Sequence, residues 1–253
     1  MLDIFDILGP VMVGPSSSHT AGAVRIGRMA RTLLGGAPVK ADIGLYGSFA
    51  ETGRGHGTDR ALVAGLLGMR PDDLRIPQSF ELAKEEGLDF YIHPIQLREA
   101  HPNTVVLKLR RADGNELMLQ AASVGGGRIR VDKLNGVEVQ FTGDLNTLVV
   151  QHQDVAGKVA DETRELSNAG INIATMSLWR DRRGGDALIV IETDQKVSPE
   201  DPGPAGREAA DLLREGGRLT WRWIPCRRSS RKCKRARSLF GRSYRIQTLR
   251  SAR

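Results

Sequence analysis

The stretch Gly14-Pro15-Ser16-Ser17-Ser18-His19-Thr20 places three serines, a histidine and a threonine side by side where an amphipathic pattern begins. Hydroxyl donors at a helix start add to unpaired backbone N–H groups and the positive end of the helix dipole, a combination suited to a carboxylate or a phosphate. The same residues serve equally well as simple helix caps. A second constellation, Gly53-Arg54-Gly55-His56-Gly57-Thr58-Asp59, sets an imidazole between glycines. Glycines remove side-chain bulk and let backbone approach a ligand, and histidine titrates nearest neutrality, so His56 could take a proton from a substrate that reached it. The plainer alternative is an idle, solvent-exposed loop histidine.

Two further stretches, His101-Pro102-Asn103-Thr104 and Ser123-Val124-Gly125-Gly126-Gly127, flank predicted strands. The triple glycine reads either as a bulge with close backbone approach or as a flexible turn. His93 and His152 stand alone at predicted strand ends and read as structural. Metal binding by this chain alone is not expected, because Cys226 and Cys233 lack paired CxxC spacing. Neither a P-loop nor a GxGxxG after a strand with an acid some 20 residues on is present, which leaves nucleotide binding weakly supported.

The elements that must position these residues follow from periodicity. Ala23, Ile26, Ala30, Leu33 and Leu34 share one helical face, predicting a helix over 20–34 that Gly35-Gly36 ends. A strand over 39–48 leads into a glycine-dense loop, a helix over 59–67 is capped by Thr58 or Asp59, and a short helix over 80–86 precedes a strand over 89–93. Strands over 104–110, 116–124, 128–133 and 137–141 follow, with Asp113-Gly114 and Asn135-Gly136 as hairpin turns, so an antiparallel sheet is expected. After a linker at Thr142-Gly143-Asp144 the order is strand 145–152, helix 155–168, strands 171–179 and 186–192, helix 206–214 and strand 219–224. That βαββαβ order is ferredoxin-like. The fold class is therefore α+β: a mixed α/β domain with antiparallel strands over 1–143, a ferredoxin-like domain over 145–224, and a tail over 225–253.

At 253 residues the chain is long enough for two domains with their own cores. No apolar run approaches the roughly 18 residues of a membrane span, and the start MLDIFDILGP lacks the features of a secretory signal. A cytoplasmic protein without structural disulfides is expected. The net charge of +7 invites a nucleic-acid partner, but 13 Lys and Arg with no acid lie in 217–253, against 24 basic and 30 acidic residues before them. The body is thus mildly acidic, and the basic segment reads as a solvated, disordered tail rather than a nucleic-acid or membrane anchor. Its abrupt change of composition also suggests a frame-shifted or read-through end.

In this order GPSSSHTAGAVRIGRMAR, GSFAETGRGHGTD, HPNTV and SVGGG resemble the β chain of iron–sulfur-dependent L-serine dehydratase. The second half resembles an ACT domain, most clearly at Asn168-Ala169-Gly170-Ile171-Asn172-Ile173-Ala174-Thr175-Met176, although Ala156 stands where that pattern has a proline before Gly157. The resemblance covers about residues 1–225 and implies dehydration of L-serine to pyruvate and ammonia; the sequence does not decide between serine alone and threonine as a second substrate. It implies a four-iron four-sulfur cluster, and since this chain has only two cysteines the cluster is expected on a cysteine-bearing α chain in a hetero-oligomer. By motif match His56 is the general base, and Ser16, Ser17, Ser18, His19 and Thr20 hold the substrate carboxylate or line its pocket. In the ACT domain Asp154, Gly157 and Asn172 are the expected effector residues, with serine as ligand. The competing expectations are a non-catalytic amino-acid-binding regulatory subunit and, from the basic tail alone, a nucleic-acid-binding protein.

Overall fold

A computed structural model describes residues 11–194 and the strand 220–224. The expected helix over 206–214, both cysteines and the segment 225–253 lie outside the described residues, as do residues 1–10. Among the described residues no helix is long and apolar enough to cross a membrane.

The serine-rich stretch does not open directly into an α-helix. Residues Ser17–Gly22 form one π-helical turn, which continues as helix α1 (Ala23–Leu34). Ala23, Val24, Ile26, Met29, Ala30, Leu33 and Leu34 of α1 are buried as one wide stripe, and Gly35 ends it at φ 85° with its N–H returned to the Arg31 and Thr32 carbonyls. Strand β1 (Lys40–Leu45) is shorter than its predicted span. The expected glycine-dense loop is instead two short helical turns, α2 (Ser48–Glu51) and α3 (Gly53–His56). Gly57, at φ 67°, separates α3 from helix α4 (Thr58–Leu66), and neither Thr58 nor Asp59 is its cap.

Helices α1 and α4 cross backbone to backbone. A Cβ on Gly65 would stand 2.2 Å from the Val24 carbonyl oxygen and 2.9 Å from Gly27 Cα, so both crossing positions demand glycine. A 3-10 turn (Ile76–Gln78) and helix α5 (Ser79–Glu85) return the chain to the sheet. There β2 (Asp89–Pro94), β3 (Thr104–Arg110), β4 (Glu116–Gly125), β5 (Arg128–Leu134) and β6 (Val137–Phe141) complete six strands in the order β2-β1-β3-β4-β5-β6.

This sheet is mixed rather than wholly antiparallel, because β2 pairs parallel to β1 across the helical connection α2–α5. The other pairings are antiparallel. Asn135 and Gly136 both adopt positive φ, as a tight hairpin between β5 and β6 requires. The triple glycine realises both readings: the register shifts between Ser123 and Gly125, and Gly126 and Gly127 make the turn into β5.

Beyond residue 144 a second sheet holds β7 (Asn146–Gln153), β8 (Ile173–Arg180), β9 (Asp186–Thr193) and β10 (Thr220–Ile224) in the order β10-β7-β9-β8. Helix α6 (Lys158–Asn168) connects β7 to β8. Unbroken apolar runs in β7 and β9 are buried on both faces. Leu148, Val150, Ile189 and Ile191 pack with Leu166 of α6, while Val149, Leu188 and Val190 join the core of the first sheet and its helices. Burial of each such side chain is worth about 1.5–3 kcal/mol, so the two sheets share a substantial part of their stabilisation.

Candidate active site

The π-turn, α2 and α3 meet beyond the C-terminal end of β1. Ser16 caps the turn, its Oγ accepting the His19 N–H at 3.2 Å, so capping and clustering of hydroxyls are both realised. The His19 side chain is buried, and its two ring nitrogens face different hydroxyl pairs. Nδ1 lies 3.1 Å from Ser18 Oγ and 3.3 Å from Ser16 Oγ. Nε2 lies 3.1 Å from both Ser48 Oγ and Thr52 Oγ1. Around His19 the Phe49 ring stands edge-on at 5.3 Å and the His56 ring at 4.9 Å between centroids.

Burial pushes the His19 imidazole below its ordinary value, and the neighbouring His56 adds to that, against a smaller opposing contribution from the Ser48 backbone. Two imidazolium charges at this separation would repel by about 3 kcal/mol at an effective dielectric near 20. His56 is half-buried, and its Nδ1 is a buried atom without a hydrogen-bond partner. Its backbone is held at both ends, the N–H donating to the Thr52 carbonyl at 3.1 Å and the carbonyl accepting from Thr20 Oγ1 at 3.4 Å. A Cβ on Gly55 would meet nothing within 4 Å, so the chain is open on the Gly55 side of His56.

The other two motifs are sewn to the same end of the sheet. The Ser123 N–H donates to the Asn103 carbonyl, and the Tyr46 N–H to the Thr104 carbonyl, each at 3.0 Å. Gly22 lies against Ser123 so closely that a Cβ there would stand 2.1 Å from Ser123 Oγ. Arg25 of α1 donates to the Gly127 carbonyl, tying the triple glycine to the helix. Asn103 Oδ1 and Ser123 Oγ are buried without partners.

Of the residues singled out from sequence, Ser16, Ser18, His19, Thr20 and His56 converge, and Ser17 lies half-buried in the same turn. Ser48, Phe49 and Thr52 were missed. They lie within GSFAET, where the i, i+4 spacing of Ser48 and Thr52 would have put both hydroxyls on one helical face. That signal was hidden because the segment reads as the end of a strand. His93 pairs with Asp42 at 2.9 Å on the open face of the first sheet. A shallow recess of about 830 Å³ on that face is lined by Lys40, Tyr91, Arg110 and Met118 among others. It lies away from the histidine pair, and none of the converging hydroxyls or imidazoles borders it.

The three residues expected to hold an effector are not brought together within one chain. Asp154 follows β7, where it accepts from Arg180 Nη1 at 2.9 Å and from the Gly184 N–H at 3.0 Å. Those bonds, the Gly184 one foremost, hold its carboxyl below the ordinary carboxylate range. Gly157 caps α6 nearby. Asn172 precedes β8 and donates to Asp194 Oδ2 at 2.7 Å. Because Asn146 pairs with Thr193 and Gln153 with Asp186, Asn172 and Asp154 stand at opposite ends of the sheet. The eight residues of β7 separate them, about 25 Å at roughly 3.3 Å per residue.

Residues 1–87 match the family described as serine dehydratase beta chain. A probable L-serine dehydratase beta chain of Bacillus subtilis is 43% identical over 194 residues, covering 77% of this chain and 88% of that protein. The L-serine dehydratase beta chain of Peptoniphilus asaccharolyticus is 36% identical over 195 residues, again covering 77% of this chain and 88% of its own. D-3-phosphoglycerate dehydrogenase of B. subtilis is 27% identical over 139 residues, covering 54% of this chain and 26% of that protein.

Proposed function

The chain belongs to the serine dehydratase beta-chain family, whose members are lyase subunits, and from that premise we propose that it supplies the base and the carboxylate pocket of a cytoplasmic L-serine ammonia-lyase. The observation that carries this reading is the pair of imidazoles, one buried and bound to hydroxyls, the other open on one flank. L-Serine places its carboxylate against the hydroxyls of Ser16, Ser17, Ser18 and Thr20 at the start of the π-turn and α1. His56 removes the Cα proton. The β-hydroxyl departs as water, and the aminoacrylate that remains is hydrolysed to pyruvate and ammonia.

Hydroxide is a poor leaving group and needs an acid. The described residues contain no group of three or more His, Cys, Asp and Glu side chains that could hold a metal, and an iron–sulfur cluster takes about four thiolates, or three with one iron open. The two cysteines of the chain lie outside the described residues. The donors at hand do not fit a cluster, and we assign it to a cysteine-bearing α chain in a hetero-oligomer. The steps given to this chain run through its own residues.

The second sheet and α6 serve as an ACT regulatory domain, supported by the strand order β10-β7-β9-β8 and the crossover of α6. Its ligand is an amino acid, serine first, held around Asp154 and Gly157 from one copy and Asn172 from another, since one copy alone keeps them a strand length apart. The likeness to D-3-phosphoglycerate dehydrogenase favours a second reading, a regulatory subunit that binds an amino acid without turnover. The test is pyruvate formation from L-serine under anaerobic conditions by this chain, alone and mixed with an α chain from the same source. Turnover only in the mixture supports the enzyme subunit. A silent mixture whose α chain carries an intact cluster and binds this chain refutes it in favour of the regulatory reading.

A further inference from the structure

We infer that Thr52 is a positioning residue: it fixes the tautomer of His19 with its hydroxyl and the backbone of His56 with its carbonyl, and so presents His56 to the substrate. The inference rests on the active-site reading above and extends it to a residue of α2–α3 that no substrate need touch.

The argument is one of donors and acceptors. Thr52 has one hydroxyl proton, and it donates it to the Ser48 carbonyl at 2.8 Å. The same Oγ1 is 3.1 Å from His19 Nε2, so toward that nitrogen it acts as acceptor and Nε2 carries the proton. Ser48 Oγ, also at 3.1 Å from Nε2, is free to accept as well. On the other side Nδ1 is left with its lone pair, which accepts from the Ser18 hydroxyl at 3.1 Å. Every side-chain partner of the ring is a hydroxyl, none a carboxylate, the Ser48 backbone adds only a smaller contribution, and the ring is buried. His19 is thereby held as the neutral Nε2–H form, with both nitrogens occupied.

A neutral His19 with fixed orientation is a wall for His56 rather than a second base. Its ring meets His56 edge-on at 4.9 Å, and no second positive charge opposes the proton that His56 takes up. The other groups packed on the pair, Phe49 from α2, the hydroxyls of Ser48 and Thr52, and Ser16, Ser18 and Thr20 from the π-turn, carry no charge. Thr52 joins the two imidazoles because its carbonyl accepts the His56 N–H at 3.1 Å while its hydroxyl accepts from His19.

The test has two arms. In the full chain, selectively 15N-labelled at histidine, His19 near pH 7.5 is expected to show a protonated Nε2 and an unprotonated Nδ1. Thr52→Val, which keeps the shape and removes the hydroxyl, is expected to mix the tautomers, and Thr52→Ser to restore the wild-type pattern. In the assembled enzyme Thr52→Val is expected to lower kcat about ten- to a hundredfold with KM within about twofold, and Thr52→Ser to recover most of the loss. A wild-type His19 protonated at Nδ1, or at both nitrogens, overturns the inference whatever the variants do. So does a folded Thr52→Val chain with unchanged tautomer and unchanged kcat. The nitrogen arm needs no turnover, so a failure of the enzyme reading and a failure of this inference are told apart.

Discussion

At the start of α1 the polar side chains of three segments converge on two imidazoles, whereas in the second sheet Asp154 and Asn172 each spend their polar atoms on near neighbours and stand a strand length apart. The first region keeps a buried His56 Nδ1 without a hydrogen-bond partner, next in the chain to Gly55, where a Cβ would meet nothing. Asp154, by contrast, already holds Arg180 and a backbone N–H. The hydroxyls and imidazoles of the first region are brought together within one chain by short elements. The proposed effector residues lie at opposite ends of one sheet, so the proposal needs a second copy to bring the other end alongside. Two histidines make the contrast sharper. His19 is buried among hydroxyls, while His152, also buried, donates from Nδ1 to the Gln153 carbonyl at 2.7 Å and faces Glu162 at 4.0 Å.

The comparison breaks first, and most visibly, at His56. His56→Ala is expected to lower turnover of the assembled enzyme by about 10²–10⁴-fold, with α-chain binding unchanged in a co-purification assay. Turnover near wild type would remove the first region from the chemistry. Next in size, Gly22→Ala drives a Cβ to within 2.1 Å of Ser123 Oγ and must shift the π-turn. A stability loss of about 1–3 kcal/mol in denaturant melts and a fall in kcat are expected together. A loss of stability with kcat intact would show that the turn does not aim His19.

For the second region, Asn172→Ala is expected to weaken L-serine binding about tenfold by calorimetry, in line with one hydrogen bond to a charged group. That binding should tighten as the chain concentration is raised through its dimerisation range, and a concentration-independent affinity would show that one copy suffices.

The smallest effect concerns Glu162, whose carboxyl burial pushes above its ordinary value of 4.5 while the nearby His152 pulls it the other way. A raised folded-state value means that the folded chain holds this proton more tightly than the unfolded one. The contribution is therefore fully present below pH 4.5 and is lost as pH rises through the folded value. Glu162→Gln should flatten the fall in melting temperature with rising pH over that window. At neutral pH it should raise the midpoint, since an amide carries no charge to desolvate. An unchanged pH slope would mean that His152 already compensates the charge.

Much of the fold was legible from periodicity and turn residues. The helix stripe from Ala23 to Leu34 and the hairpins at Asp113-Gly114 and Asn135-Gly136 could be placed because each depends on residues a few positions apart. The parallel partnership of β1 and β2 could not, since the same alternation serves a strand in either direction. The same limit hid Ser48 and Thr52, whose local pattern resembles a strand end and whose role exists only because His19 reaches them from 29 and 33 residues away.

The order of residues by itself determined which groups were available: hydroxyls crowded before a helix, an imidazole between glycines, apolar runs long enough to bury a second sheet on both faces, and too few thiolates for a cluster. Tertiary structure alone decided their use. Burial removed water from His19 and pushes its imidazole below the ordinary value, the crossing of α1 and α4 at Gly27 and Gly65 brought the π-turn against the connection from β1, and strand register parted Asp154 from Asn172. Desolvation and distance depend on what packs around a group, and neighbours in space are not neighbours in sequence.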